Sequence, residues 1–171
     1  CITWSVIFSS FTGRKVPSPT CSITGAILTP FSRIRAKSSG VKCNPAVKRS
    51  DDRAALRMAL AEGTIDTIGS DHAPHLLSEK GGTYTEAPSG LPSIQQSLPV
   101  LLTIAHEEDI PLGRIASAFS EKAADLYHLN RGKIEKGYEA DLVIFDYSKE
   151  FVVKAEDQYS KCGWTPYEGV T

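Results

Sequence analysis

The chain has 171 residues, of which 41% are hydrophobic and 23% charged, enough to bury a core as one ordinary domain. A formal net charge of -1 gives no electrostatic case for nucleic acid, no apolar run is long enough to span a membrane, and Cys1, Cys21, Cys43 and Cys162 form no CxxC pair. The balance argues against a nucleic-acid binder, a membrane protein, a thiolate zinc site and a disulfide scaffold, and points to the reducing cytoplasm.

The charge is unevenly spread. Residues 1–50 hold Arg14, Lys15, Arg33, Arg35, Lys37, Lys42, Lys48 and Arg49 but no Asp or Glu, and every acidic residue lies from Asp51 onward. A basic, Ser-rich, acid-free beginning has the composition of a transit peptide. Pro17, Pro19, Pro30 and Gly40 mark loops there, and residues 1–40 are left without a fold assignment, read as a divergent or out-of-frame stretch in preference to a leader. From Ser50 the pattern sharpens. Ser50 is a good N-cap, Asp51 and Asp52 suit the positive end of a helix dipole, Leu56, Ala59 and Leu60 make an apolar face, and Gly63 supplies a stop, so a helix is predicted over 51–62.

Residues 64–70 alternate β-branched with smaller or polar residues and predict a buried strand, which ends in Ser70-Asp71-His72-Ala73-Pro74-His75. The loop 76–90 is polar and long enough to be functional, with Lys80 and Glu86 as solvated charges. An apolar helix follows from about Pro92 to His106, kinked or begun by Pro99. Residues 112–129 predict two short helices, the second capped by Ser120 and Glu121, with His106 and His128 as helix-end residues. Beyond the turn at 130–132, residues 133–137 and 140–147 have strand chemistry, with Leu142, Val143, Ile144 and Phe145 as a buried run.

The junction at 70–75 carries the candidate chemistry. A carboxylate and two imidazoles within five residues offer a hard oxygen ligand, a proton carrier near neutral pH and a cationic donor for an anionic substrate. Pro74 restricts the backbone between His72 and His75. A plain polar turn, with Asp71 capping the next segment, explains the same residues equally well.

Ser70-Asp71-His72-Ala73-Pro74-His75, preceded by Lys42-Cys43-Asn44-Pro45-Ala46-Val47-Lys48, resembles the C-terminal part of a dihydroorotase of the amidohydrolase superfamily. Ala87-Pro88-Ser89-Gly90, Gly132-Lys133-Ile134, the run from Gly137 to Asp146 and Lys161-Cys162-Gly163-Trp164-Thr165-Pro166 follow in the matching order. The resemblance implies an α/β fold: the last strands and helices of a (β/α)8 barrel over 41–129, and part of a small β-sandwich over 130–171. Asp71 would then sit where barrel sites lie, at the C-terminal end of a strand. It also implies zinc, one or two ions, with Asp71 as metal ligand and proton shuttle and His72 orienting Asp71 or its loop. His75 would hold the substrate carboxylate, with Asn44, Pro88 and Gly90 at the substrate.

The implied reaction is the reversible closure of N-carbamoyl-L-aspartate to dihydroorotate in pyrimidine biosynthesis, by a homodimer or in association with aspartate carbamoyltransferase. Where the family carries a glutamate after its Gly-x-x-Gly segment, this chain has Ser93, Gln95 or Gln96. No histidine precedes His72, so the His-x-His pair of the pattern is missing and the chain is expected to be an inactive fragment of a longer enzyme. Two alternatives stand beside this one: an allantoinase or dihydropyrimidinase-like cyclic amidohydrolase, and a non-catalytic dihydroorotase-like scaffold subunit.

Overall fold

The computed structural model describes residues 40–43 and 49–171. The expectations for residues 1–39 and for Asn44 lie outside these. Helix α1, Ser50–Glu62, starts where Arg49 donates its backbone N–H to the Asp52 carboxylate at 3.1 Å, so the acidic first turn closes the helix start and Ser50 lies inside it. It ends at Gly63, whose φ of 81° is open to a residue without a Cβ. An added Cβ there would come within 2.2 Å of the Arg114 guanidinium.

The short helix α2, Leu77–Lys80, lies inside the loop that follows the Asp-His motif. Helix α3, Ile94–Glu107, is the longest of the described elements and continues through Pro99, which therefore does not begin it. A helix of 14 residues with Leu101, Ile104 and Ala105 buried tolerates the missing proline donor because tertiary packing, not local propensity, holds it. Helix α4, Leu112–Ala116, passes without a break into a π-helical turn, Ser117–Glu121, and then into α5, Lys122–Leu126. This corrects the expectation of two helices with a cap at Ser120. The backbone stays helical at Ala116, Ser117, Glu121 and Lys122, leaving no capped break between them.

One core joins Leu60, Ile65, Ile68, Leu101, Ile104, Ile110 and Ile115, with α4 packed on both α1 and α3. Burial of these residues is the main favourable term. A smaller cluster gathers Leu91, Cys162 and Trp164 with Cys43. The segment 64–70 is well buried, as its pattern predicts, yet a ladder is what makes a strand. Among the described residues it forms no ladder: Ile65 is an isolated bridge position, and Ile68 N–H donates to the Ala118 carbonyl at 2.9 Å.

The C-terminal stretch departs furthest from its pattern. The described residues contain no strand over 133–147, and the run expected to be buried is exposed: Leu142 60%, Val143 70%, Ile144 97% and Phe145 45%. Apolar strands are buried by neighbours, and none of the described elements covers this run. Farther on, Val153 pairs with Gly169 and Val170 through two backbone hydrogen bonds of 2.8 Å.

Candidate active site

The segment 64–70 delivers Asp71 at its end, and the backbone turns there. Asp71 adopts φ 45°, in the left-handed region that non-glycine residues enter at a cost. Aspartate is among the few residues that visit it readily. The half-buried Asp71 is followed by a parallel bridge between His72 and Leu91 and by a 3.0 Å hydrogen bond from Ala73 N–H to the Leu91 carbonyl. The loop that leaves at His75 thus returns beside its own start.

His72 is used by the scaffold. Its Nδ1 accepts the backbone N–H groups of Ser93 at 3.0 Å and Ile94 at 3.2 Å, at the start of α3. An acceptor Nδ1 fixes the tautomer with the proton on Nε2, and burial holds the imidazole below its ordinary pKa. Ser93 completes the joint by donating its hydroxyl to the Ser70 carbonyl at 2.6 Å.

His75 belongs to the loop cluster. Its Nε2 lies 3.0 Å from the Ser89 carbonyl, which can only accept, so Nε2 carries the proton. The His75 carbonyl accepts the Trp164 indole N–H at 2.8 Å, tying the Cys162–Trp164 segment to the site. Gly90, at φ 134°, passes so close to the motif that an added Cβ would meet the Ala73 Cβ at 2.4 Å. The structure therefore brings His75, Pro88 and Gly90 into one cluster and directs His72 to the N-terminus of α3.

Lys80, read from sequence as a solvated loop charge, is in fact 1% exposed. Its ammonium donates to the carbonyls of Lys42 at 2.9 Å, Pro88 at 2.8 Å and Gly90 at 3.0 Å. Burial pushes its pKa down, and nearby Cys43 opposes that shift. Backbone carbonyls have no residue signature, so no pattern of side chains marks this arrangement. Glu86 keeps its expected exposed place, where it accepts from the Thr83 hydroxyl and amide. Gln95 clamps the C-terminal stretch by donating to the Asp157 carbonyl and accepting from Tyr159 N–H, each at 2.9 Å.

A cavity of about 260 Å³ is lined among others by Ile68, Ser70, Phe119 and Arg131. It does not include Asp71 or His75.

Residues 20–168 match the model of the amidohydrolase family. The chain belongs to that family. The match begins upstream of Val41, where the resemblance was first legible in the sequence. Among curated amidohydrolase relatives, a dihydroorotase of Methanosarcina mazei is 41% identical over 162 residues, 92% of this chain and 35% of that protein. A dihydroorotase of Halobacterium salinarum is 38% identical over 75% of this chain and 31% of its own length. The chain thus spans about a third of the length of the curated relatives it matches. Among solved structures, a D-hydantoinase (dihydropyrimidinase) from Thermus sp. superposes with a TM-score of 0.73 at 27% identity, over 79% of this chain and 31% of that one.

The family is generally metal-dependent, and a metal centre needs side-chain donors that converge on one point. Among the described residues no group of three or more His, Cys, Asp or Glu side chains converges closely enough to hold one. A catalytic zinc takes three protein ligands, whereas here His72 Nδ1 is occupied by two amides and His75 Nε2 by a carbonyl. The described residues do not by themselves fit a metal centre. No described helix is long and apolar enough to cross a membrane.

Proposed function

We propose that this chain is a segment of a dihydroorotase, which reversibly hydrolyses the cyclic amide of dihydroorotate to N-carbamoyl-L-aspartate. The observation that carries this reading is the 41% identity to a dihydroorotase over 92% of the chain, a span that includes the Asp71-to-His75 motif. Residues 41–129 correspond to the last strands and helices of a (β/α)8 barrel and 130–171 to part of a small β-sandwich. Asn44, Pro88 and Gly90 belong to the substrate's surroundings.

In hydrolysis, a water oxygen bonds to the ring carbonyl carbon, the C–N bond breaks, and the released nitrogen gains a proton. Asp71 is the group that takes the proton from water and returns it to that nitrogen. Its backbone, held at φ 45° between a buried segment and the His72–Leu91 bridge, aims the carboxylate without relying on a mobile loop. His75 meets the substrate carboxylate. The bond from its Nε2–H to the Ser89 carbonyl orients the ring that meets that carboxylate. Zinc belongs to this proposal through Asp71 as a ligand, the rest of the centre coming from outside the described residues.

The TM-score of 0.73 to a D-hydantoinase supports a second reading, hydrolysis of a hydantoin or dihydropyrimidine ring. The test is a substrate panel on the intact protein that carries this chain, alongside its mass and zinc content. Turnover of dihydroorotate in preference to hydantoin and dihydrouracil is expected. Turnover of hydantoin or dihydrouracil alone transfers the assignment to the second reading, and a metal-free protein inert to all three defeats both.

A further inference from the structure

The buried Lys80 has no part in the reaction described above, yet its surroundings are unusual. An ammonium has three N–H donors, and all three are spent on backbone carbonyls from two separate segments, Lys42 on one and Pro88 and Gly90 on the other. Among the described residues no ion pair includes it. Holding a charge in such a place is costly unless every donor is satisfied, so the three bonds and the burial stand or fall together. Gly90 N–H also donates to the Lys42 carbonyl at 3.0 Å, so the ammonium reinforces a joint that the backbone already makes.

What the joint positions is the residue between its two anchors. Pro88 and Gly90 turn their carbonyls toward Lys80, while the carbonyl of Ser89 between them meets His75 Nε2. Fixing peptide groups on both sides of Ser89 fixes the orientation of the Ser89 carbonyl. From these contacts we infer that Lys80 is a positioning residue for His75: its ammonium sets the 88–90 turn, and the turn sets the imidazole that meets the substrate carboxylate. This deepens the dihydroorotase reading and rests on it.

The test is a double-mutant cycle in the intact protein, with Lys80→Met, His75→Ala and the pair, read as KM and kcat for dihydroorotate. Lys80→Met keeps the apolar stem but takes the ammonium from all three carbonyls, of which only that of Lys42 retains another donor, Gly90 N–H. Its KM is expected to rise by on the order of ten- to a hundredfold with a smaller change in kcat, as for a misplaced binding group. In the pair, KM is expected to stay close to that of His75→Ala, because the two residues act on one contact. Lys80→Gln, which keeps two N–H donors, is expected to fall between wild type and Lys80→Met.

A folded Lys80→Met or Lys80→Gln protein with wild-type KM overturns the inference, as do effects that multiply in the pair. Failure of both Lys80 variants to fold, scored by circular dichroism, overturns it too and leaves Lys80 a residue of the fold alone. An inactive wild-type protein is a different outcome, since it defeats the dihydroorotase reading itself.

Discussion

Lys80 and Ile144 occupy each other's expected places: the lysine is 1% exposed and the isoleucine 97%. Hydrophobicity alone would reverse the two. The difference lies in where each finds its partners. Lys80 needs three acceptors, and a Pro-Gly turn eight to ten residues further on supplies two of them, with Lys42 giving the third. Ile144 needs an apolar surface beside it, and none of the described elements provides one. Burial thus follows the availability of partners, and residue type sets only what kind of partner is required.

Substitutions on the two sides of this comparison should differ in scale. Asp71→Ala, in the intact protein, is expected to abolish dihydroorotate turnover while leaving the fold intact, because it removes the proposed proton carrier; near-normal turnover would remove the proposed mechanism. Lys80→Met is expected to cost about 3 kcal/mol in urea unfolding, since each orphaned buried acceptor costs about 1–3 kcal/mol and the exposed rim of the loop can relax toward water. Leu101→Ala, at a position with 0% exposure, should cost about 2–5 kcal/mol by leaving a cavity between α3 and its neighbours. A loss below about 1 kcal/mol for either would mean that the site collapses readily around the change.

The joint at His72 should respond to pH. Burial lowers its pKa in the folded state, so as pH falls through the ordinary value of 6.5 the unfolded chain takes up a proton that the folded chain resists. Stability is therefore expected to be unaffected by this group above that range and to decline below it. His72→Asn, which keeps an acceptor near the Nδ1 position and cannot titrate, should flatten the decline; an unchanged profile would mean that other groups set it. The smallest effect is expected at the exposed run, where Ile144→Ser should shift stability by no more than about 0.5 kcal/mol. A large loss there would reveal a covering surface.

Where a local rule governs, sequence and structure agree. Asp51, Asp52 and Gly63 bracket α1 because a helix end needs donors and acceptors of known kinds within a few residues. Asp71 was legible as the end of a buried segment because its approach is apolar and its exit polar. The ladder of 64–70 was not, since pairing depends on neighbours that pattern does not name. The exposure of 142–145 is the same problem inverted: the run has the chemistry of a buried strand, and only its surroundings decide whether it is one. Lys80 was misread because its partners are peptide carbonyls, which every residue possesses. Ser93 and Gln95, noted only as replacements for an expected glutamate, turn out to join Ser70 and the 157–159 stretch to α3.

The π-helical turn at Ser117–Glu121 has a consequence for how this segment tolerates insertion and deletion. A π-turn holds one residue more than an α-turn, and each residue rotates the following helix by about 100°. Within the π-turn, the Ala118 carbonyl receives Ile68 N–H; just after it, the Lys122 ammonium meets Asp66 at 2.6 Å. Both grip the segment that leads into Asp71. Deleting Ser120 would restore regular helical winding and swing Lys122 away from Asp66, so the extra residue acts as a phase shifter that keeps both grips on the same side.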